Sequence, residues 1–99
     1  MPDYRPKLTA LRIFQRAFGE GSVISTTHIK KQMKERNFDM NDVISVKDTG
    51  IIEKDPERDI KTGEWKYNIR GEDTEGQPLE IVFSILGDRK VKLITGWRP

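Results

Sequence analysis

Residues 78–98, PLEIVFSILGDRKVKLITGWR, carry the pattern that decides the fold class. Apolar and polar side chains alternate over residues 79–85 and again over residues 90–98, which is the period of a β-strand with one buried face. Gly87-Asp88-Arg89 between the two runs predicts a tight hairpin turn. We therefore predict two antiparallel strands, with these side chains directed inward: Leu79, Ile81, Phe83, Ile85, Val91, Leu93, Thr95 and Trp97.

The same alternation extends toward the N-terminus. Residues 64–70 place Trp65, Tyr67 and Ile69 on one face and Lys66 and Arg70 on the other. Residues 51–53 indicate a further short strand, followed by a polar loop at residues 55–59. The second half of the chain, residues 50–98, thus predicts a four-stranded antiparallel sheet.

Residues 7–49 have the period of helices instead. Leu8, Leu11, Phe14 and Phe18 recur at helical spacing, and Gly19-Glu20-Gly21 indicates the end of that helix. A second helix begins at Thr26 or Thr27 and ends near Asn37. Asp39 and Asp42 form a capping-box variant that opens a third helix, which Gly50 ends. Helices that precede an antiparallel sheet predict an α+β fold, with two to three helices packed on one curved, mainly antiparallel four-stranded sheet.

Length and composition limit the classes of protein. A chain of 99 residues is predicted to form one domain, with an extended leader at residues 1–6. The absence of cysteine excludes disulfides and thiolate chemistry, and no apolar run reaches the roughly 18–20 residues of a membrane span. No membrane partner is therefore expected, no signal peptide is recognisable, and a cytoplasmic location is predicted.

Charge is unevenly distributed along the chain. Residues 1–36 contain eight Lys or Arg against three Asp or Glu, whereas residues 37–99 contain ten against thirteen. A basic N-terminal third is typical of a surface that binds a polyanion, but also of an ordinary solvated helix face.

Residues 25–37, STTHIKKQMKERN, contain the single histidine. At about 100° per residue, His28, Gln32 and Arg36 form one column beside the apolar stripe of Ile29 and Met33. Histidine side chains change charge near neutral pH, so His28 is a candidate general acid/base or phosphate ligand. The alternative is a histidine that serves only the structure at the margin of the core.

The outward side of the sheet carries a second set of cations, namely Lys66, Arg70, Lys92 and Arg98. Such a row could bind several phosphates, or it could be an ordinary solvated sheet face. A calcium loop at residues 55–60 is excluded because Ile60 stands where glycine is required. We expect no metal site and no cofactor.

The order of several motifs resembles a bacterial family of domains of unknown function. The resemblance covers residues 23–98 and rests on His28, Met33-Lys34-Glu35-Arg36, Asp42-Val43 and Gly50-Ile51-Ile52. It continues with Lys66-Tyr67-Asn68-Ile69, with the strand from Gly76 to Val82, and with Ile94-Thr95. The segment before it is similar to the start of MqsR-type toxins.

The resemblance implies a RelE/ParE/MqsR-like fold and the activity of a toxin in a toxin–antitoxin pair. Such toxins cleave RNA without a metal, by attack of a ribose 2′-hydroxyl on the adjacent phosphate. Ribosome-associated mRNA is then a candidate substrate, and an acidic antitoxin protein is a candidate partner. His28 and Arg36 match the helix motif of the family, whereas Lys66 and Arg70 match its charged strand only by residue type.

Two functional hypotheses follow. In the first, His28, Arg36, Lys66 and Arg70 are catalytic residues of an endoribonuclease, and Lys31, Gln32, Lys92 and Arg98 bind RNA. In the second, the chain is a non-catalytic module that binds a protein or a nucleic acid on the same fold. Growth arrest on expression discriminates between them.

Overall fold

The computed structural model describes residues 4–99 and contains three helices and five strands. The helices are α1 (Lys7–Glu20), α2 (Thr27–Glu35) and α3 (Met40–Thr49). The strands are β1 (Ser22–Ser25), β2 (Glu57–Arg58), β3 (Trp65–Glu72), β4 (Pro78–Gly87) and β5 (Lys90–Trp97). The α+β class is therefore confirmed.

The sheet differs from the prediction in the number of its strands. Its order is β1-β5-β4-β3-β2, and β1 pairs in parallel with β5 while every other pair is antiparallel. The prediction of four strands is wrong because residues 22–25, which the prediction did not assign to the sheet, form an edge strand. The expected strand at residues 51–53 is reduced to a single bridge between Ile51 and Arg70, and the expected loop at 55–59 contains β2.

Local sequence signals set the helix boundaries. The Thr26 hydroxyl accepts the Ile29 N–H at the start of α2, and Asp39 and Asp42 form the expected capping box of α3. Gly50 follows α3 as predicted. Two ends differ from the prediction, since α1 continues through Gly19 to Glu20 and α2 ends at Glu35. Asn37 after α2 has a φ of 53°, a left-handed conformation that asparagine tolerates.

The core lies between the helices and one face of the sheet. Phe14 of α1 packs on Phe83 with ring centroids 4.4 Å apart, and Tyr67 stacks on the other side of Phe83 at 5.5 Å. On α1 the buried positions are Ala10, Ile13, Phe14 and Ala17, whereas Leu8 is 62% exposed. Most inward residues predicted for the sheet are buried, namely Tyr67, Ile69, Leu79, Ile81, Phe83, Val91 and Leu93.

A β-bulge in β5 reverses the expected direction of two side chains. Val82 of β4 pairs with Thr95, but the next residue, Phe83, pairs with Leu93, so Ile94 is an extra residue on β5. Residues directly opposite each other share a face. Thr95 and Trp97 therefore lie on the face opposite the helices, which we call the open face, and the prediction that they point inward is wrong. Gly96 takes the core position, and Phe38 packs so closely there that a Cβ atom would lie 2.7 Å from its ring.

The predicted leader lies partly outside the described residues, which begin at Tyr4. The Arg5 N–H donates to the Tyr67 hydroxyl at 2.7 Å, and the Tyr4 ring meets Trp65 edge-on with centroids 5.3 Å apart. The N-terminal segment is thus attached to the helix side of the sheet.

Candidate functional site

Helix α2 covers the part of the β5 edge that β1 leaves free. β1 pairs with β5 only as far as Leu93. Beyond that point, Gln32 occupies the position of a neighbouring strand, because its Oε1 accepts the Gly96 N–H at 2.9 Å and the Thr95 hydroxyl at 2.7 Å. Gln32 is 5% exposed. A buried acceptor that satisfies a backbone donor at a sheet edge is a structural contact, and it fixes α2 on β5.

Arg36 lies one turn after Gln32 and contacts the same strand. Its Nη1 donates to the Gly96 carbonyl oxygen at 2.7 Å, while the residue as a whole is exposed. The predicted column on α2 is therefore partly realised, since Gln32 and Arg36 both face the C-terminal part of β5.

A groove of about 770 Å³ runs between α2 and β5. Its lining residues are Gln32, Arg36, Thr95, Trp97 and Arg98. A second cavity on the open face includes Lys54, Lys66 and Asn68 and shares Thr95 and Trp97 with the groove. Trp97 is half-buried. Trp97 therefore lines both the groove that contains Arg36 and Arg98 and the cavity that contains Lys54 and Lys66.

His28 stands apart from this groove. It is exposed in the first turn of α2, its imidazole makes no hydrogen bond or ion pair with any residue of the range 4–99, and it is not among the lining residues of either cavity. Lys31 is exposed on the side of α2 that faces away from the sheet. Of the predicted site residues, the structure brings Gln32, Arg36 and Arg98 together in the groove. Lys66 lies in the adjoining cavity on the open face. Arg70 lines a third cavity, together with Glu80.

Each cation of the predicted sheet row has a carboxylate partner. Lys66 contacts Asp59 at 3.0 Å, Arg70 contacts Glu80 at 3.9 Å, and Lys92 contacts Glu64 at 2.8 Å. The Lys66 and Lys92 pairs flank Ser84 in the strand register, and Ser84 is only 1% exposed although it lies on the open face. The open face is therefore largely charge-compensated, which weakens it as a ligand for several phosphates.

Arg98 holds three segments together. Its Nη1 contacts Asp73 at 2.6 Å, and its other nitrogens donate to the carbonyl oxygens of Arg36 and Asn37 at 3.1 and 2.7 Å. Asp73 is 6% exposed and also accepts the N–H groups of Glu75 and Gln77. The Arg98 guanidinium, and then the Gln77 N–H, hold the pKa of Asp73 below its usual value. The arrangement joins the end of α2, the β3–β4 turn and the C-terminal end of β5.

Two further aspartates, Asp59 and Asp42, also have a pKa below the usual value. The Lys66 ammonium, followed by backbone N–H groups of Lys61 and Thr62, lowers the pKa of Asp59. Burial acts to raise the pKa of Asp42, but hydrogen bonds from Thr74 and Asp39 outweigh it and the pKa lies below its usual value. These carboxylates bind protons more weakly in the folded than in the unfolded chain.

Acid is therefore expected to destabilise the fold. Because the unfolded chain binds more protons at these aspartates, their contribution to the free energy of unfolding should be fully present above about pH 5. It should be lost as pH drops below the ordinary aspartate pKa of about 3.9 and through the lower folded-state values. Urea unfolding between pH 7 and pH 2 measures this. Asp73→Asn should lower the free energy of unfolding at pH 7 and should make its fall below about pH 4 less steep. Asp55 is an exposed carboxylate, so Asp55→Asn should leave the steepness of that fall unchanged. If the stability of Asp73→Asn fell with acid as steeply as that of wild type, Asp73 would not be a source of the acid sensitivity.

Sequence reasoning missed Trp97, Thr95 and Lys54. The alternation along β5 assigned Thr95 and Trp97 to the core because a bulge shifts the phase by one residue. Gly96 within the strand is the local signal for such an irregularity. Lys54 was overlooked because its place beside Trp97 depends on the path of the chain between α3 and β3.

Neither a metal-ligand cluster nor a membrane-spanning helix is present within residues 4–99. No group of three or more His, Cys, Asp or Glu side chains within that range is arranged to hold a metal ion. None of its helices has the length and apolar character needed to cross a membrane.

Comparisons with known proteins identify a family. The family model described as Domain of unknown function (DUF4258) matches residues 25–98, which span α2 through β5 and so include the groove. Searches of curated proteins and of solved structures gave no match. The family match confirms the resemblance to a domain of unknown function, while the likeness to RelE-type toxins stays a prediction. The chain belongs to the DUF4258 family.

Proposed function

We propose that this domain is an endoribonuclease of the toxin type, which cleaves RNA by attack of a ribose 2′-hydroxyl on the adjacent phosphate. The observation that supports it most is the groove between α2 and β5, where Arg36 and Trp97 lie together next to a basic helix. The proposal includes a RelE/MqsR-like fold and an acidic antitoxin as partner, both of which rest on the resemblance of the motifs.

The groove offers the two kinds of contact that single-stranded RNA needs. Arg36 uses one guanidinium nitrogen on the Gly96 carbonyl, and none of the described residues bonds to the other two. A guanidinium so placed can bind a phosphate and stabilise the charge that builds up on it. Trp97 offers an aromatic face for a base, and the exposed lysines of α2, Lys30, Lys31 and Lys34, supply a field that attracts the backbone.

His28 would act as the proton acceptor. In the reaction the 2′-hydroxyl proton passes to an imidazole nitrogen, the 2′-oxygen bonds to phosphorus, and the bond from phosphorus to the 5′-oxygen breaks. The leaving 5′-oxygen takes up a proton from water, and the imidazolium returns its proton to the solvent. The products are a 2′,3′-cyclic phosphate and a 5′-hydroxyl end. Because His28 lies outside the groove, RNA must cross the first turn of α2 to reach it.

Lys66 and Arg70 would contribute less than Arg36 to the binding of a phosphate. Each is paired with a carboxylate, so a phosphate would have to displace Asp59 or Glu80 before it could bind. We therefore rank Arg36 first among the proposed phosphate ligands.

The same charge compensation favours a second candidate function. A module that binds RNA or protein without cleaving it needs the groove and Trp97 but no proton acceptor. The pairing of Lys66, Arg70, Lys92 and Arg98 with carboxylates is the observation in its favour.

Inducible expression in bacteria, combined with cleavage of end-labelled RNA by purified protein in EDTA, tests the first proposal. Wild type should arrest growth and produce fragments that end in a 2′,3′-cyclic phosphate. The His28→Ala/Arg36→Ala double variant should do neither. Arg12→Ala, which removes an exposed cation from α1, should behave as wild type. Intact RNA and normal growth with wild type would refute the nuclease, and RNA that is bound but intact would establish the second function.

A further inference from the structure

The outer edge of β1 has no neighbouring strand. The N–H and C=O groups of one residue in a strand point to the same side, and those of the next residue point to the other. The Ser22 and Thr26 N–H groups donate to the carbonyl oxygens of Arg89 and Leu93 at 3.0 and 3.1 Å. The backbone groups of Ser22, Ile24 and Thr26 therefore face β5. Val23 and Ser25 consequently direct their backbone groups outward, and no described residue bonds to them.

The two edges of the sheet are protected very differently. β2, at the opposite edge, consists of two charged residues, Glu57 and Arg58, and follows a buried proline, Pro56. Short length, charge and proline are the usual devices that prevent an edge from pairing with another chain. β1 contains neither charge nor proline, and Ile24 is 41% exposed on the open face. β1 is thus the edge that can accept a strand.

The charges around β1 select the kind of strand. Arg89 and Lys90 lie at its Ser22 end, since Ser22 pairs with Lys90. Lys30 and Lys31 lie on the exposed side of α2, which begins just after its Ser25 end. None of these four cations forms an ion pair within the described part of the chain. Two acids lie nearby in sequence: Asp88, which precedes Arg89 but contacts Arg5, and Glu20, two residues before Ser22. A second copy of the chain would bring like charges together, whereas an acidic segment would meet opposite charges at both ends.

We propose that the outer edge of β1 binds an extended acidic segment of a partner protein, which adds to the sheet as a sixth strand next to β1. Strand addition takes its affinity from main-chain hydrogen bonds and its selectivity from alternate side chains. Here the backbone groups of Val23 and Ser25 supply the bonds, Ile24 supplies an apolar contact, and the flanking cations select the acidic partner. The site lies outside the groove at Arg36, although Lys30 and Lys31 also belong to the proposed RNA surface, and it does not depend on the ribonuclease proposal.

The probe is a synthetic eight-residue peptide in which valine and glutamate alternate, with a valine–lysine peptide as its control. On addition of the valine–glutamate peptide, amide hydrogen exchange should slow at Val23 and Ser25, while the Ser22 and Thr26 amides, already bonded to β5, should change little. The valine–lysine peptide should bind at least roughly tenfold more weakly, because its charges repel the flanking cations. Binding should also weaken as salt is raised, since the charges involved are exposed.

Two variants locate the contact. Ile24→Glu places a like charge against the peptide, and Ser25→Pro removes one outward N–H from an edge strand, where proline is tolerated. Each should weaken binding roughly tenfold, about the value of one hydrogen bond or one adverse pair. Ile44→Glu makes the same chemical change at an exposed position of α3 and should have no effect. The proposal is overturned by equal binding of the two peptides, by unchanged binding in both β1 variants, by no binding, or by dimers that protect Val23 and Ser25 without peptide.

Discussion

Replacement of Trp97 by alanine is expected to weaken RNA binding by roughly 5- to 150-fold, because one base stacked on an aromatic side chain contributes about 1–3 kcal/mol. Trp97 is the aromatic residue that the groove beside Arg36 shares with the open-face cavity around Lys66. Its loss removes the stacking surface and leaves the cations in place. The measurement is a titration of a short single-stranded RNA at fixed salt, since phosphate contacts make the affinity depend on salt.

The other tryptophan provides the matched control. Trp65 lies on the helix side of the sheet, with Tyr4 against its edge and the Arg58 guanidinium 5.9 Å from its ring centroid. Trp65→Phe should therefore bind RNA as wild type does, and its remaining tryptophan fluorescence should report stacking at Trp97 directly. Trp97→Phe should keep most of the affinity. Wild-type affinity in Trp97→Ala would remove the groove from the proposed RNA surface.

Gly21→Ala is expected to have the largest effect on stability, about 3 kcal/mol of lost unfolding free energy, the upper part of the usual range for overpacking. A Cβ atom at Gly21 would lie 1.8 Å from the carbonyl oxygen of Arg89. That oxygen accepts the first hydrogen bond between β1 and β5, from the Ser22 N–H. The new methyl group can be accommodated only if β1 moves away from the β4–β5 hairpin.

Gly19, two residues earlier, should respond in the opposite direction. It lies within α1, and a Cβ atom there would have no neighbour within 4 Å. Gly19→Ala should stabilise the fold by up to about 1 kcal/mol, because alanine loses less backbone entropy than glycine in a helix. Urea unfolding of the two variants, with amide exchange at Ser22 and Thr26, checks the pair. Equal stabilities would show that β1 does not pack on the hairpin as described.

The candidate site was predicted only in part, because its members depend on different ranges of sequence. Gln32 and Arg36 form a column through the regular turn of a helix, so their common direction could be predicted from residues 25–37. That this column meets the edge of β5 could not, since Gln32 contacts Gly96, 64 residues away. The pairing of Lys92 with Glu64 likewise joins residues 28 positions apart, and no local pattern indicates it.

The sequence by itself determined the elements whose signals are local: the caps of α2 and α3, the hairpin after Gly87, and the alternating faces of β3 and β4. Hydrogen bonds of a cap or a turn involve residues a few positions apart, and periodicity repeats within one element. Only the tertiary structure decided that residues 22–25 join β5, that a bulge at Ile94 turns Trp97 to the open face, and that the cations of the sheet are paired. Those features depend on contacts between distant segments, whose free energy exists only after the chain has brought the segments together.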